Sequence, residues 1–118
     1  MARFDILYAE DEFTNRKFLE IQVTKSGMTC DCAVDGIQAL EKLHANQYSV
    51  VILDQYMPGL NGDDLAREIR KFAPELPLLA ITSDDTEVTH LKDAGFREVF
   101  IKPLRGTDYL ETIRSYIK

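Results

Sequence analysis

Four apolar runs in this chain stop on polar residues: FDILYA runs into Glu10-Asp11-Glu12, VVIL into Asp54, LLAI into Thr82-Ser83, and VFI into Lys102-Pro103. Runs of this length read as buried strands, and a carboxylate at the edge of a core is costly unless something pairs it. Asp54 therefore needs a partner or a purpose. Singly, each residue has an ordinary explanation: Asp11 or Glu12 at a helix N-terminus, Thr82 as a cap, Lys102 as a solvated loop lysine. Gathered in one place they have a chemistry of their own. Carboxylates brought close repel one another and are poised to take a divalent cation, and an oxygen-only ligand set suits Mg²⁺.

The elements that would gather them follow from hydrophobic periodicity. Residues 4–9 read as a strand, and Phe13, Phe18, Leu19 and Val23 keep helical spacing up to Gly27. Residues 28–34 form a second strand. Asp35-Gly36 opens a helix carrying Ile37, Leu40 and Leu43, and residues 50–53 form the third strand. After a loop punctuated by Pro58, Gly59 and Gly62, a helix carries Leu65, Ile69 and Phe72. A strand over 76–82, a helix over 88–94, a short strand over 99–101 and a closing helix with Tyr109, Leu110, Ile113 and Ile117 complete the chain. Uninterrupted βα alternation implies an α/β fold, a parallel sheet covered by helices on both faces. Ligands of such sheets bind at the carboxyl ends of the strands, where the polar residues lie.

Composition narrows the function. The 118 residues suit one domain over residues 1–118, and 45% hydrophobic with 29% charged residues is an ordinary globular balance. Fourteen basic against 20 acidic residues give a net charge of -6, which disfavours non-specific binding to nucleic acid or anionic membranes. There is no signal-like N-terminal run and no apolar run of about 18 residues, so a cytoplasmic protein is expected. Cys30 and Cys32 share one side of a strand and read as small buried apolar side chains. His44 and His90 read as structural.

These residues also carry a family likeness. ILYAEDE, AVDGIQAL, VVILDQYMPGLNG, LLAITS and VFIKP, in that order, resemble the strands and loops of the receiver domain of two-component response regulators. The resemblance implies a flavodoxin-like fold with five parallel strands in the order 2-1-3-4-5 and five helices on both faces. It further implies phosphorylation at Asp54, phosphoryl contacts from Thr82 and Lys102, and a cis bond before Pro103. Mg²⁺ would lie near Asp11 and Asp54, with Glu10 acting through water and the carbonyl of Tyr56 as a further ligand. The implied partners are a sensor histidine kinase or phosphotransfer protein upstream and an output domain or protein partner downstream, with no direct nucleic-acid binding by this domain. The chemistry agrees, since a carboxylate is an able nucleophile toward phosphorus once a metal and an ammonium neutralise the transferring group.

Two departures stand out. The family usually has an aromatic residue three positions before the strand lysine; here that position is Val99, and Phe100 beside it should face the other way. The segment before Lys102 also lacks the Ala-Asp-Asp-Tyr pattern of regulators that dimerise through this face. Rival readings fit less well. A flavin carrier would need a Ser-, Thr- or Gly-rich phosphate loop where Glu10-Asp11-Glu12 stands. An aspartyl phosphohydrolase would place a second acid at position 56, which is tyrosine. A receiver-like interaction module independent of phosphorylation remains the alternative.

Overall fold

A computed structural model describes residues 1–118. Strand and helix alternate as β1 (Arg3–Ala9), α1 (Phe13–Lys25), β2 (Cys30–Ala33), α2 (Gly36–Ala45), β3 (Gln47–Asp54), α3 (Gly62–Phe72), β4 (Leu78–Thr82), α4 (Val88–Asp93), β5 (Glu98–Ile101) and α5 (Asp108–Arg114). All pairings are parallel, and the sheet order is β2-β1-β3-β4-β5. This is the flavodoxin-like topology expected from the sequence, and the Lys102–Pro103 bond is cis.

Alternation along the central strands feeds two cores. Leu7, Val51, Leu53 and Leu78 face one side and meet Leu65 and Ile69 of α3 and Leu91 of α4. Ile6, Tyr8, Ile52 and Ile81 face the other and meet Leu19 of α1 and Ile113 of α5. Each fully buried Leu or Ile contributes about 1.5–3 kcal/mol, so these layers hold the strand ends in place.

The differences from the sequence reading have local causes. β4 begins at Leu78, not 76, because Pro77 has no N–H to give to the ladder. β3 begins earlier than expected, since Gln47 and Tyr48 pair with Arg3 and Phe4 of β1. α4 is preceded by a single 3₁₀ turn, Asp85–Glu87, where no helix was expected. Cys30 and Cys32 are half-buried rather than buried, because β2 is an edge strand with β1 alone beside it.

Candidate phosphoacceptor site

Strand register assembles the polar residues. Ala9 lies opposite Leu53, so the following residues, Glu10 and Asp54, end adjacent strands side by side. Asp54 pairs with Ile81, putting Thr82 one step beyond, and Thr82 pairs with Ile101, putting Lys102 one step beyond that. Side-chain alternation divides the set. Asp54 follows Leu53 of the first core and Glu10 follows Ala9 of the same core, so both turn toward the α1/α5 side, while Thr82 turns toward α3 and α4.

The sequence-predicted residues meet as follows. Lys102 Nζ lies 2.9 Å from Glu10 Oε1 and 3.0 Å from Asp54 Oδ1, bridging two buried acids. One carboxylate oxygen from each of Glu10, Asp11 and Asp54 falls within 4.8 Å of the others, with Asp11 exposed at the mouth. Three carboxylates against one ammonium leave two net negative charges, the charge of one divalent cation. Burial, then the charge of Glu10, pushes the Asp54 pKa up to about 7, against the pull of Lys102. Burial works against the Lys102 ammonium, but its hydrogen bonds to Glu10 and Asp54 prevail and raise its pKa. Thr82 is fully buried, and its Oγ1 accepts from the Asp84 backbone N–H at 3.1 Å. Tyr56 is half-exposed, and its hydroxyl donates to Glu87 Oε1 at 2.7 Å.

Several contributors escaped the sequence reading. The Tyr8 hydroxyl donates to Glu10 Oε1 at 3.1 Å; Tyr8 lies in β1 two residues before Glu10, a spacing that could have revealed it. Arg16 Nη1 donates to the carbonyl oxygens of Glu10 and Asp11 at 3.0 and 3.3 Å, fixing the loop that carries both acids. Glu12 does not join the cluster. It caps α1, accepting from the N–H groups of Thr14 and Asn15 at 2.8 and 2.9 Å. Gln55 is buried, and its Oε1 accepts from the Asp63 N–H at 3.1 Å, tying the residue after Asp54 to the start of α3. His90, read as structural, lies with Nε2 3.1 Å from Asp63 Oδ2 and joins α4 to α3.

A sequence model of the response regulator receiver domain matches residues 6–114. The chain belongs to that family. Among curated relatives, the response regulator ArlR of Staphylococcus aureus is 31% identical over 115 residues, 96% of this chain and 52% of that protein. ArlR of Staphylococcus haemolyticus is 32% identical over 117 residues, 97% and 52%. The chain thus spans about half the length of the curated relatives it matches. The solved structure of the response regulator protein TrrA of Thermotoga maritima, in complex with Mg²⁺-BeF, aligns with a TM-score of 0.88 at 29% identity, covering 99% of this chain and all of that one. The receiver's Glu10, Asp11 and Asp54 match the phosphoacceptor architecture of the family, and their donor set suits Mg²⁺. A receiver is a phosphoacceptor signalling domain, not an enzyme turning over a released substrate. No helix is long and apolar enough to cross a membrane.

Proposed function

We propose that residues 1–118 act as one receiver unit in which Asp54 takes a phosphoryl group from a histidine kinase or phosphotransfer protein. The observation that carries the reading is a buried aspartate at a strand end, held by a lysine beside two further acids. Glu10, Asp11, Asp54 and the backbone carbonyl of Tyr56 would hold Mg²⁺, Glu10 through water. Bound there, Mg²⁺ supplies charge neutralisation to the transferring group. An Asp54 carboxylate oxygen attacks phosphorus, the bond from phosphorus to the donor's imidazole nitrogen breaks, and its electron pair leaves with the imidazole. The Lys102 ammonium stabilises charge on the transferred group. The Thr82 hydroxyl then hydrogen-bonds a phosphoryl oxygen absent before transfer and biases the 83–87 segment toward a second arrangement. The TrrA complex supports the reading, because beryllium fluoride is a tetrahedral anionic stand-in for a phosphoryl group. Downstream, the switched surface would engage an output domain or a protein partner in the cytoplasm, and this domain would not itself bind nucleic acid.

The test is intact-protein mass spectrometry after incubation with Mg²⁺ and a phospho-histidine donor or a small phosphodonor. One added phosphoryl group, labile to hydroxylamine as an acyl phosphate should be, is expected in the wild type and not in Asp54→Ala. A shift that persists in Asp54→Ala overturns the assignment of the nucleophile, and one that never appears in the wild type favours a phosphorylation-independent interaction module.

A further inference from the structure

The sheet face beside Thr82 lacks the aromatic ring expected there. Val99 fills that position within the first core, and Phe100 lies on the opposite face, edge-on to Tyr109 at 6.4 Å. The ring that does reach the Thr82 loop comes from the other side of the site. It is Tyr56, two residues after Asp54, bonded through its hydroxyl to Glu87.

Between Thr82 and Glu87 the chain is a run of short-range hydrogen bonds. Thr82 Oγ1 accepts from Asp84 N–H at 3.1 Å, Asp84 Oδ1 accepts from Thr86 N–H at 3.0 Å and from the Thr86 hydroxyl, and Glu87 N–H donates to Asp84 O at 3.1 Å. The segment is in effect one small body hung from the Thr82 hydroxyl, with Glu87 at its far end. Little burial fastens it: no residue of Asp85–Glu87 is buried, and Leu91 is the one buried residue of α4.

We propose that Glu87 is a positioning residue whose hydrogen bond to Tyr56 clasps the 83–87 segment in its resting arrangement, so that the switch to the phosphorylated arrangement must break that bond. The proposal rests on the phosphoacceptor reading above. A Thr82 hydroxyl drawn toward a phosphoryl oxygen on Asp54 loosens its hold on the Asp84 N–H, and the segment moves as a unit. Tyr56 belongs to the β3 side and does not follow. The clasp therefore opposes switching, and by linkage anything that removes it favours the phosphorylated arrangement by the same factor. An aromatic ring is thus tied to the Thr82 segment from the β3–α3 loop, where Val99 offers none from β5.

Titration calorimetry with Mg²⁺ and beryllium fluoride reads the linkage directly. Loss of one net hydrogen bond corresponds to about a two- to tenfold change in an equilibrium. Tyr56→Phe, which keeps the ring and the local charge, should bind the anion about two- to tenfold tighter than the wild type. Glu87→Ala should tighten binding, and the double variant should be no tighter than Glu87→Ala alone. Glu87→Gln keeps an acceptor for the tyrosine hydroxyl while removing the charge, so it should bind as the wild type does. Unchanged or weaker binding in Tyr56→Phe overturns the proposal. Equal tightening in Glu87→Gln and Glu87→Ala overturns it as well, since charge alone would then be responsible. Absence of any binding by the wild type would instead sink the phosphoacceptor reading on which the clasp depends.

Discussion

Lys102 pairs Glu10 and Asp54 with a single ammonium, which leaves the site short of positive charge even with every contact made. The same economy governs the approach of water to an aspartyl phosphate. Two side chains are placed to act there, Tyr56 and Asp84, two residues after Asp54 and Thr82: a tyrosine ring can shield the phosphoryl group, and an acid can position a water. The geometry separates them. Asp84 Oδ1 is engaged by the backbone and the hydroxyl of Thr86, so its carboxylate serves the turn. The Tyr56 hydroxyl is held by Glu87, which pushes its pKa up to about 12, and the ring is free to cover the phosphoryl group once that hold is released. Tyr56→Ala should accordingly lose phosphate about tenfold faster than the wild type, a barrier change of about 1.4 kcal/mol. Asp84→Ala should change the rate by less than about twofold, well under 1 kcal/mol of barrier. Dephosphorylation followed by phosphate release in one Mg²⁺ buffer checks both, and a Tyr56→Ala rate equal to that of the wild type removes the shield.

At the scale of elements, the loop between β3 and α3 shows why the sequence places glycines after an aspartate. Gly62 N–H donates to Gln55 O at 2.9 Å, and a Cβ on Gly62 would stand 2.8 Å from Asp54 O and 3.2 Å from Gln55 Cα. Both obstacles are backbone or packed against it, so neither yields easily. Gly59, at φ +83°, takes a turn conformation that other residues adopt only with strain. Gly62→Ala should therefore displace the end of β3, destabilising the fold by about 1–3 kcal/mol and slowing phosphoryl uptake. Denaturant melts and phosphorylation rates measure the two effects, and wild-type values for both would show that α3 can back away at no cost. The sheet and its site were legible because each functional residue ends an apolar run, and period-2 runs between helical stretches leave few arrangements. Legibility failed where periodicity ends. The Asp85–Glu87 turn is three polar residues with no repeat to read, so neither the turn nor the partnership of Glu87 with Tyr56 had a signal. Within Glu10-Asp11-Glu12 residue type alone does not separate the acids; the family resemblance singles out Glu10 and Asp11, and the start of α1 accounts for the third by using Glu12 as its cap.

For the molecule as a whole, the charge gathered at the strand ends becomes a term in folding stability. Without metal, burial and then the charge of Glu10 push the Asp54 pKa up to about 7 in the fold, against the ordinary carboxylate value of 3.8 in an unfolded chain. The folded state thus holds this proton more tightly than the unfolded state. The resulting stability is fully present below about pH 4 and is lost as pH rises through about 7. Above that window the ionised Asp54 opposes folding, and a cation that binds the ionised site restores what was lost. In chelator, Asp54→Asn should be more stable than the wild type at pH 8 by about 2–4 kcal/mol, with more than half of the difference gone at pH 5. Adding Mg²⁺ at pH 8 should raise the stability of the wild type and leave Asp54→Asn nearly unmoved, and Mg²⁺ affinity should fall as pH drops below 7 because proton and cation compete for the same oxygens. Denaturant unfolding at the two pH values, with and without Mg²⁺, distinguishes the cases. An advantage of Asp54→Asn that is equal at pH 5 and pH 8 would mean that the aspartate is already ionised at both. Proton and Mg²⁺ would then compete for the site only below about pH 5.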